Sequence, residues 1–169
     1  MHVDGCEICS LDAPEEIITE TDHWVITLNP NQGYLGRCYV RLKDHKSSLS
    51  ELSQKEWADF QGIVTRLERA IRLGFDARVF NWACLTNDAF QKDPATPHVH
   101  WHLRPRYDKP VVFDNIEFHD PSFGHFYLRP HDQHVSQSTY TRIQQTIREN
   151  FRSDFPPVNY HRKCYDDHI

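Results

Sequence analysis

The segment His98-Val99-His100-Trp101-His102-Leu103 constrains this chain more than any other stretch. Its strict alternation has the period of a β-strand, in which side chains at i, i+2 and i+4 share one face. Val99, Trp101 and Leu103 then make an apolar face that calls for burial. His98, His100 and His102 make a row of imidazoles on the opposite face. A core has no use for three aligned imidazoles, so a sheet covered on one face and carrying chemistry on the other is expected. Two chemistries suit such a row. One is metal ligation by a His-x-His pair. The other is attack by a neutral imidazole on phosphorus, with a neighbouring His donating to the phosphate or leaving group. Spacing alone does not choose between them.

The remaining pattern supplies the rest of such a fold. Glu16–Glu20, His23–Leu28, Arg37–Leu42, Val79–Leu85 and Pro97–Arg104 read as strands, and Asn29–Gly36 and Asn87–Pro97 as loops. Ser53 with Glu56 three residues on is a capping-box signature. Trp57, Phe60, Val64, Leu67 and Ile71 follow at helical spacing, with Gly74 as the expected stop. A second helix is expected over Ser138–Phe151, with Tyr140, Ile143, Ile147 and Phe151 on one face. Strands, helix, strands, helix predict an α+β fold with an antiparallel sheet packed on two helices. At 169 residues the chain is expected to form one domain, residues 1–110 carrying the site and 111–169 an extension packed on them.

Composition excludes some partners. A net charge of −5 offers no basic field for duplex nucleic acid. No run approaches the length of a membrane span, and no basic, then apolar, leader is visible. Five Cys, an odd number, point to a reducing cytoplasmic compartment. Cys38 and Cys84, inside apolar runs, are expected to be buried thiols; Cys164 is given no role.

His98-Val99-His100-Trp101-His102-Leu103-Arg104-Pro105-Arg106-Tyr107 resembles the signature of the histidine triad (HIT) family of nucleotide hydrolases and transferases. The resemblance spans roughly residues 6–107. It implies a HIT-like fold, a homodimer that extends the sheet, and His100 as nucleophile toward an α-phosphorus, giving a nucleotidyl-histidine that water opens. The His98 carbonyl would lock the His100 tautomer and His102 would contact the scissile phosphate, with no required Mg²⁺. Asn29 falls where the family has a ribose-contacting residue, and Asn87 where it has one that contacts phosphate or orients the nucleophile. The implied substrates are nucleotide esters, phosphoramidates or dinucleoside polyphosphates. Transferase branches carry Gln at the third triad position, so His102 favours a hydrolase.

Cys6-Glu7-Ile8-Cys9 alone is ambiguous between a redox pair and half a zinc site; a redox motif would follow a strand and open a helix. Lys43-Asp44-His45 resembles the Lys-x-His element of the zinc-bearing branch of the family. That resemblance implies a structural Zn²⁺ on Cys6, Cys9, His45 and His98.

The chain also departs from the family pattern. Many members have Gly-His where this chain has Gly36-Arg37, and Arg37 could contact a phosphate bidentately. The Ser common three before the triad is Ala95, beside Thr96. His119, His125, His131 and His134 are expected to pack or face solvent, though a substrate contact would be sought there first. His2, His23, His161 and His168 have no derived role. Competing readings are a nucleotide- or zinc-binding module with little turnover, a nucleotidyltransferase or phosphorylase, and a metalloenzyme with its metal on His98, His100 and His102.

Overall fold

The structure, a computed structural model, describes residues 3–11, 13–126 and 131–152. Ile17–Glu20 (β1) and Trp24–Leu28 (β2) form an antiparallel hairpin. Cys38–Leu42 (β3), Val79–Cys84 (β4) and His100–Arg106 (β5) complete an antiparallel sheet in the order β1-β2-β3-β5-β4. The triad strand β5 is therefore flanked on both sides, by β3 and by the edge strand β4. It begins at His100 rather than Pro97, but the chain is held before that point. The Val99 N–H donates to the Lys46 carbonyl (2.8 Å) and Leu42 N–H to the Val99 carbonyl (3.1 Å).

Gln54–Phe75 (α1) starts at the expected capping box: Ser53 Oγ accepts the Glu56 N–H, and the Ser53 N–H donates to Glu56 Oε2 at 2.6 Å. Its buried stripe runs through Phe60, Ile63, Leu67, Ala70, Ile71 and Phe75. Trp57 lies at the margin of the predicted stripe, 39% exposed, with its ring edge-on to Trp101 at 6.5 Å. Gly74 does not end the helix; Asp76 does, in the left-handed conformation at φ 60°. Gly74 serves packing instead. A Cβ there would come within 2.7 Å of Thr146 Cγ2 on the second helix, Gln137–Arg152 (α2), so its absence lets the two helices approach.

Both helices lie on the apolar face of the sheet. Phe60 stacks on Trp101 with centroids 4.7 Å apart, and Ile143, Ile147 and Phe151 of α2 join the same core as Val99 and Leu103. Burying the Val99/Trp101/Leu103 face this way turns the three imidazoles to the opposite side. The chain after β5 and the start of α2 are anchored by buried polar contacts at described residues. Arg106 pairs bidentately with Asp120 (2.6 and 3.1 Å), and the hydroxyls of Tyr107 and Tyr140 donate to the carbonyls of Leu35 and Leu28, each at 2.6 Å. A second hairpin, Val111–Phe113 (β6) with Ile116–Phe118 (β7), turns through Asp114 and Asn115, both at positive φ. Such φ values suit the tight turns that match strand twist. Asp-Asn between apolar pairs was the sequence signal for it. Cys38 is buried and Cys84 partly so, and burial pushes both thiols up. Cys164, His2, His161 and His168 lie outside the described residues.

Candidate functional site

The open face of the sheet carries a cleft of about 500 Å³. Its floor is the alternating set His98, His100, His102 and Arg104, on β5 and the residues leading into it, beside the alternating set Arg37, Tyr39 and Arg41, on β3 and the residue before it. Strand register fixes their neighbours: Arg41 lies opposite His100 and Tyr39 opposite His102. The Tyr39 ring meets His102 edge-on at 4.8 Å, and the His100 and His102 rings are 4.9 Å apart.

The middle histidine is held in one tautomer. His100 Nδ1 lies 2.8 Å from the His98 carbonyl oxygen. A carbonyl only accepts, so Nδ1 carries the proton and Nε2 keeps its lone pair. His102 is half-buried among positive neighbours. Burial, reinforced by His100, Arg104 and Arg37, lowers its pKa to about 3, which keeps it neutral. Its Nδ1 is buried without a partner among the described residues.

His98 points elsewhere. Its Nε2–H donates to the Leu42 carbonyl at 2.9 Å, which leaves Nδ1 as a bare nitrogen facing two sulfurs. Cys6 Sγ and Cys9 Sγ each lie 3.4 Å from it, and His45 Nδ1 is 3.4 Å from Cys9 Sγ. All four ligand atoms fall within 4.8 Å of one another. A tetrahedral zinc site with ordinary Zn–S and Zn–N bonds has S···N edges of about 3.5 Å, so the donor set fits that ion. The Leu42 carbonyl is the kind of outer contact that orients a ligating imidazole. Burial lowers the His98 pKa to about 4, further favouring a neutral ring. The three triad imidazoles do not gather into a comparable group; the metal-capable cluster among the described residues draws on His98 alone.

The N-terminal loop around this cluster also walls the cleft. Arg41 Nη1 donates to the Ile8 carbonyl (3.1 Å), Thr96 Oγ1 to the Gly5 carbonyl (3.1 Å), and Lys92 pairs with Glu7. Thr96 lines the cleft, beside Ala95, which stands where the family often has Ser.

Of the residues singled out from sequence, the structure brings His98, His100, His102, Arg37 and Asn87 to this cleft. Asn29 is not among its lining side chains. It is buried just after β2, where its Oδ1 accepts the Asn31 N–H (2.8 Å) to shape the turn. Thr27, two residues earlier, lines the cleft instead. The histidines at 119, 125, 131 and 134 do not line it. Sequence reasoning missed Tyr39, Arg41 and Arg104. The alternation Arg37-Cys38-Tyr39-Val40-Arg41-Leu42 was the available signal, with its polar residues on one face.

A family model described as "HIT domain" matches residues 10–109. An uncharacterized HIT-like protein of Methanocaldococcus jannaschii is 27% identical over 104 residues, covering 61% of this chain and 78% of that protein. Among solved structures, a hypothetical histidine triad nucleotide-binding protein from Sulfolobus tokodaii has a TM-score of 0.63 at 19% identity, covering 86% of this chain and 91% of that one. A zinc-bound histidine triad family protein from Mycobacterium smegmatis has a TM-score of 0.59 at 20% identity, covering 86% and 94%. The α+β architecture, with an antiparallel sheet on two helices, is the one these structures share.

Proposed function

The chain belongs to the HIT family, and from that premise we propose that it hydrolyses nucleotide phosphoesters, phosphoanhydrides or phosphoramidates at the α-phosphate through a covalent adduct on His100. The observation that carries the reading is the 2.8 Å contact from His100 Nδ1 to the His98 carbonyl, which leaves Nε2 as the unprotonated nitrogen beside the cleft. Attack by that lone pair forms an Nε2–P bond. The bond from phosphorus to the leaving group breaks, and its electron pair departs with that group. Water then adds to phosphorus, the Nε2–P bond breaks, its pair returns to Nε2, and the water proton passes to solvent or the departing base. His102, neutral because burial disfavours its charge, donates an N–H to the phosphoryl oxygens as negative charge builds there. Asn87, at the cleft rim, is placed to contact the phosphate or leaving group.

Zn²⁺ on Cys6, Cys9, His45 and His98 would cross-link the N-terminal loop to the chain entering β5, a structural role. Residues 1–110 form the catalytic region in this reading. Residues 111–126 and 131–152 pack on it through contacts such as Tyr140 to Leu28. Among the described residues the outer edge of β4 has no strand partner, so a second copy pairing there would give a sheet-extended homodimer. No helix among the described residues is long and apolar enough to cross a membrane. Free Cys6, Cys9, Cys38 and Cys84 suit a reducing, cytoplasmic setting.

The test is direct. The wild type, quenched during turnover of a nucleoside phosphoramidate, should carry a nucleotidyl mass on His100, and His100→Ala should carry none and turn nothing over. Undiminished turnover by His100→Ala would overturn the mechanism. Thermal stabilisation by nucleotide without product would favour a binding module. Nucleoside diphosphate formed only with added orthophosphate would favour a phosphorylase.

A further inference from the structure

Neither imidazole at the reacting centre brings charge to it. His100 must be neutral to attack, and burial holds His102 neutral. The oxygens of the attacked phosphoryl group gain negative charge as the Nε2–P bond forms. A fixed cation beside His100 would therefore do more for that step than a further neutral donor.

The sheet register supplies one. Arg41 of β3 lies directly opposite His100, and cross-strand partners on one face have Cβ atoms about 4.5–5.5 Å apart. Both side chains line the cleft. The charge of Arg41 is felt at His98, those of Arg37 and Arg104 at His102, which sets Arg41 on the metal-cluster side of the nucleophile. Arg41 is committed only in part. Its Nη1 donates to the Ile8 carbonyl at 3.1 Å, a bond that braces a long side chain against the N-terminal loop. Its Nε–H is buried with no hydrogen-bond partner among the described residues. Of the two acidic side chains that line the cleft, Glu7 pairs with Lys92 and Asp88 accepts from Gln91 (3.3 Å). The Arg41 charge is thus not spent on a carboxylate of the cleft.

Resting on the hydrolase reading above, we propose that Arg41 is a catalytic residue whose guanidinium donates to the non-bridging oxygens of the phosphorus that His100 Nε2 attacks. It stays protonated throughout and exchanges no bond. The electron pair still departs with the leaving group, and the charge that builds on the oxygens is met by Arg41 on one side and His102 on the other. The Ile8 carbonyl, next in sequence to Cys9, holds the guanidinium in place. The N-terminal loop thereby gains a positioning role at the reacting centre.

Two measurements test this. The first is steady-state turnover of an adenosine 5′-phosphoramidate. Loss of one donor to a developing oxyanion costs about 10²–10³ in kcat. Arg41→Gln should therefore lower kcat at least about a hundredfold, with KM changed far less and part of the rate regained in Arg41→Lys. Cys9→Ser, which loosens the same loop and leaves Arg41 intact, is the comparison. A fall in Arg41→Gln no larger than that in Cys9→Ser would mean that Arg41 merely fastens the loop, and would overturn the proposal. The second is a phosphorus NMR titration of adenosine 5′-monophosphate bound to His100→Ala protein. It needs no turnover, so it stands or falls separately from the His100 mechanism. A guanidinium on the phosphate favours its dianion and should hold the second pKa about one unit or more below the free value of about 6. Adding Arg41→Gln should remove most of that depression. Lys92→Gln, which takes the same charge from the cleft rim, should leave it in place. A pKa that Arg41→Gln does not move, or that Lys92→Gln moves equally, would overturn the proposal.

Discussion

If Zn²⁺ sits on Cys6, Cys9, His45 and His98 as proposed, removing it should cost this protein stability far more than it costs chemistry. The perturbation is chelation, or Cys9→Ser, which deletes a sulfur 3.4 Å from both His98 Nδ1 and His45 Nδ1. Without the ion, the loop carrying Cys6 and Cys9 is held by the Arg41–Ile8 and Thr96–Gly5 hydrogen bonds and the exposed Lys92–Glu7 pair. Each such contact is worth about 1 kcal/mol or less. A site with free zinc at a thousand times its Kd adds about 4 kcal/mol to the folded state. For a chain of this length, each kcal/mol moves Tm by roughly 2–4 °C, so chelation should lower Tm by about 8–16 °C. The catalytic geometry has its own supports. His98 Nε2 remains on the Leu42 carbonyl, and Val99 remains laddered to Lys46 and Leu42. The carbonyl that locks His100 should therefore stay in place, and kcat measured well below the lowered Tm should fall by less than about tenfold. The assay pairs a thermal melt and a rate on the same zinc-free sample, with metal content measured. Activity that disappears in proportion to zinc while Tm holds steady would refute the reasoning and make the metal catalytic.

Two further predictions concern buried titrating groups. Burial alone would raise the Glu56 pKa, but Lys46 at 2.5 Å and the Ser53 donors bring it down to about 2. Its folded value is below its unfolded one, so its contribution is present above about pH 4.5 and is lost as pH falls toward 2. After discounting for solvent screening, Glu56→Gln should cost roughly 1–2 kcal/mol at pH 7 in urea melts, and the gap to wild type should narrow below pH 4. A gap independent of pH would rule out the charge as its source. His102 has a depressed pKa, so the unfolded chain takes up its proton first and stability falls as pH drops from 6.5 toward 3. His102→Gln should therefore lose less stability than wild type between pH 7 and pH 5; equal losses would mean His102 is not held neutral.

What could be read from the sequence was whatever depends on local period or on donor chemistry. The alternation around His100 announced a strand with one apolar and one imidazole face. Ser53 and Glu56 announced the start of α1, whereas Cys6-x-x-Cys9 was ambiguous alone and pointed to zinc only through the family resemblance. These signals lie within a few residues of one another, where backbone geometry alone decides which side chains share a face. Helix ends were less legible. Gly74 carries the composition of a stop but sits inside α1, because the close approach of Thr146 on α2, not the local chain, needs its missing Cβ.

Tertiary structure decided the rest, because β-strand register and loop docking join residues far apart in sequence. Nothing local places Arg41 opposite His100, or Arg37 one step past Cys38 and Leu103. Nor does it say that Asn29 turns into the interior while Thr27 faces the cleft. The four sulfur and nitrogen atoms of the metal site come from three separate segments, and packing alone brings them within 4.8 Å. The sequence by itself determined that this chain would display a row of imidazoles on a strand. The fold determined what that row faces: a zinc-suited cluster at one end, an imidazole held in one tautomer in the middle, and two arginines in facing register at the other end.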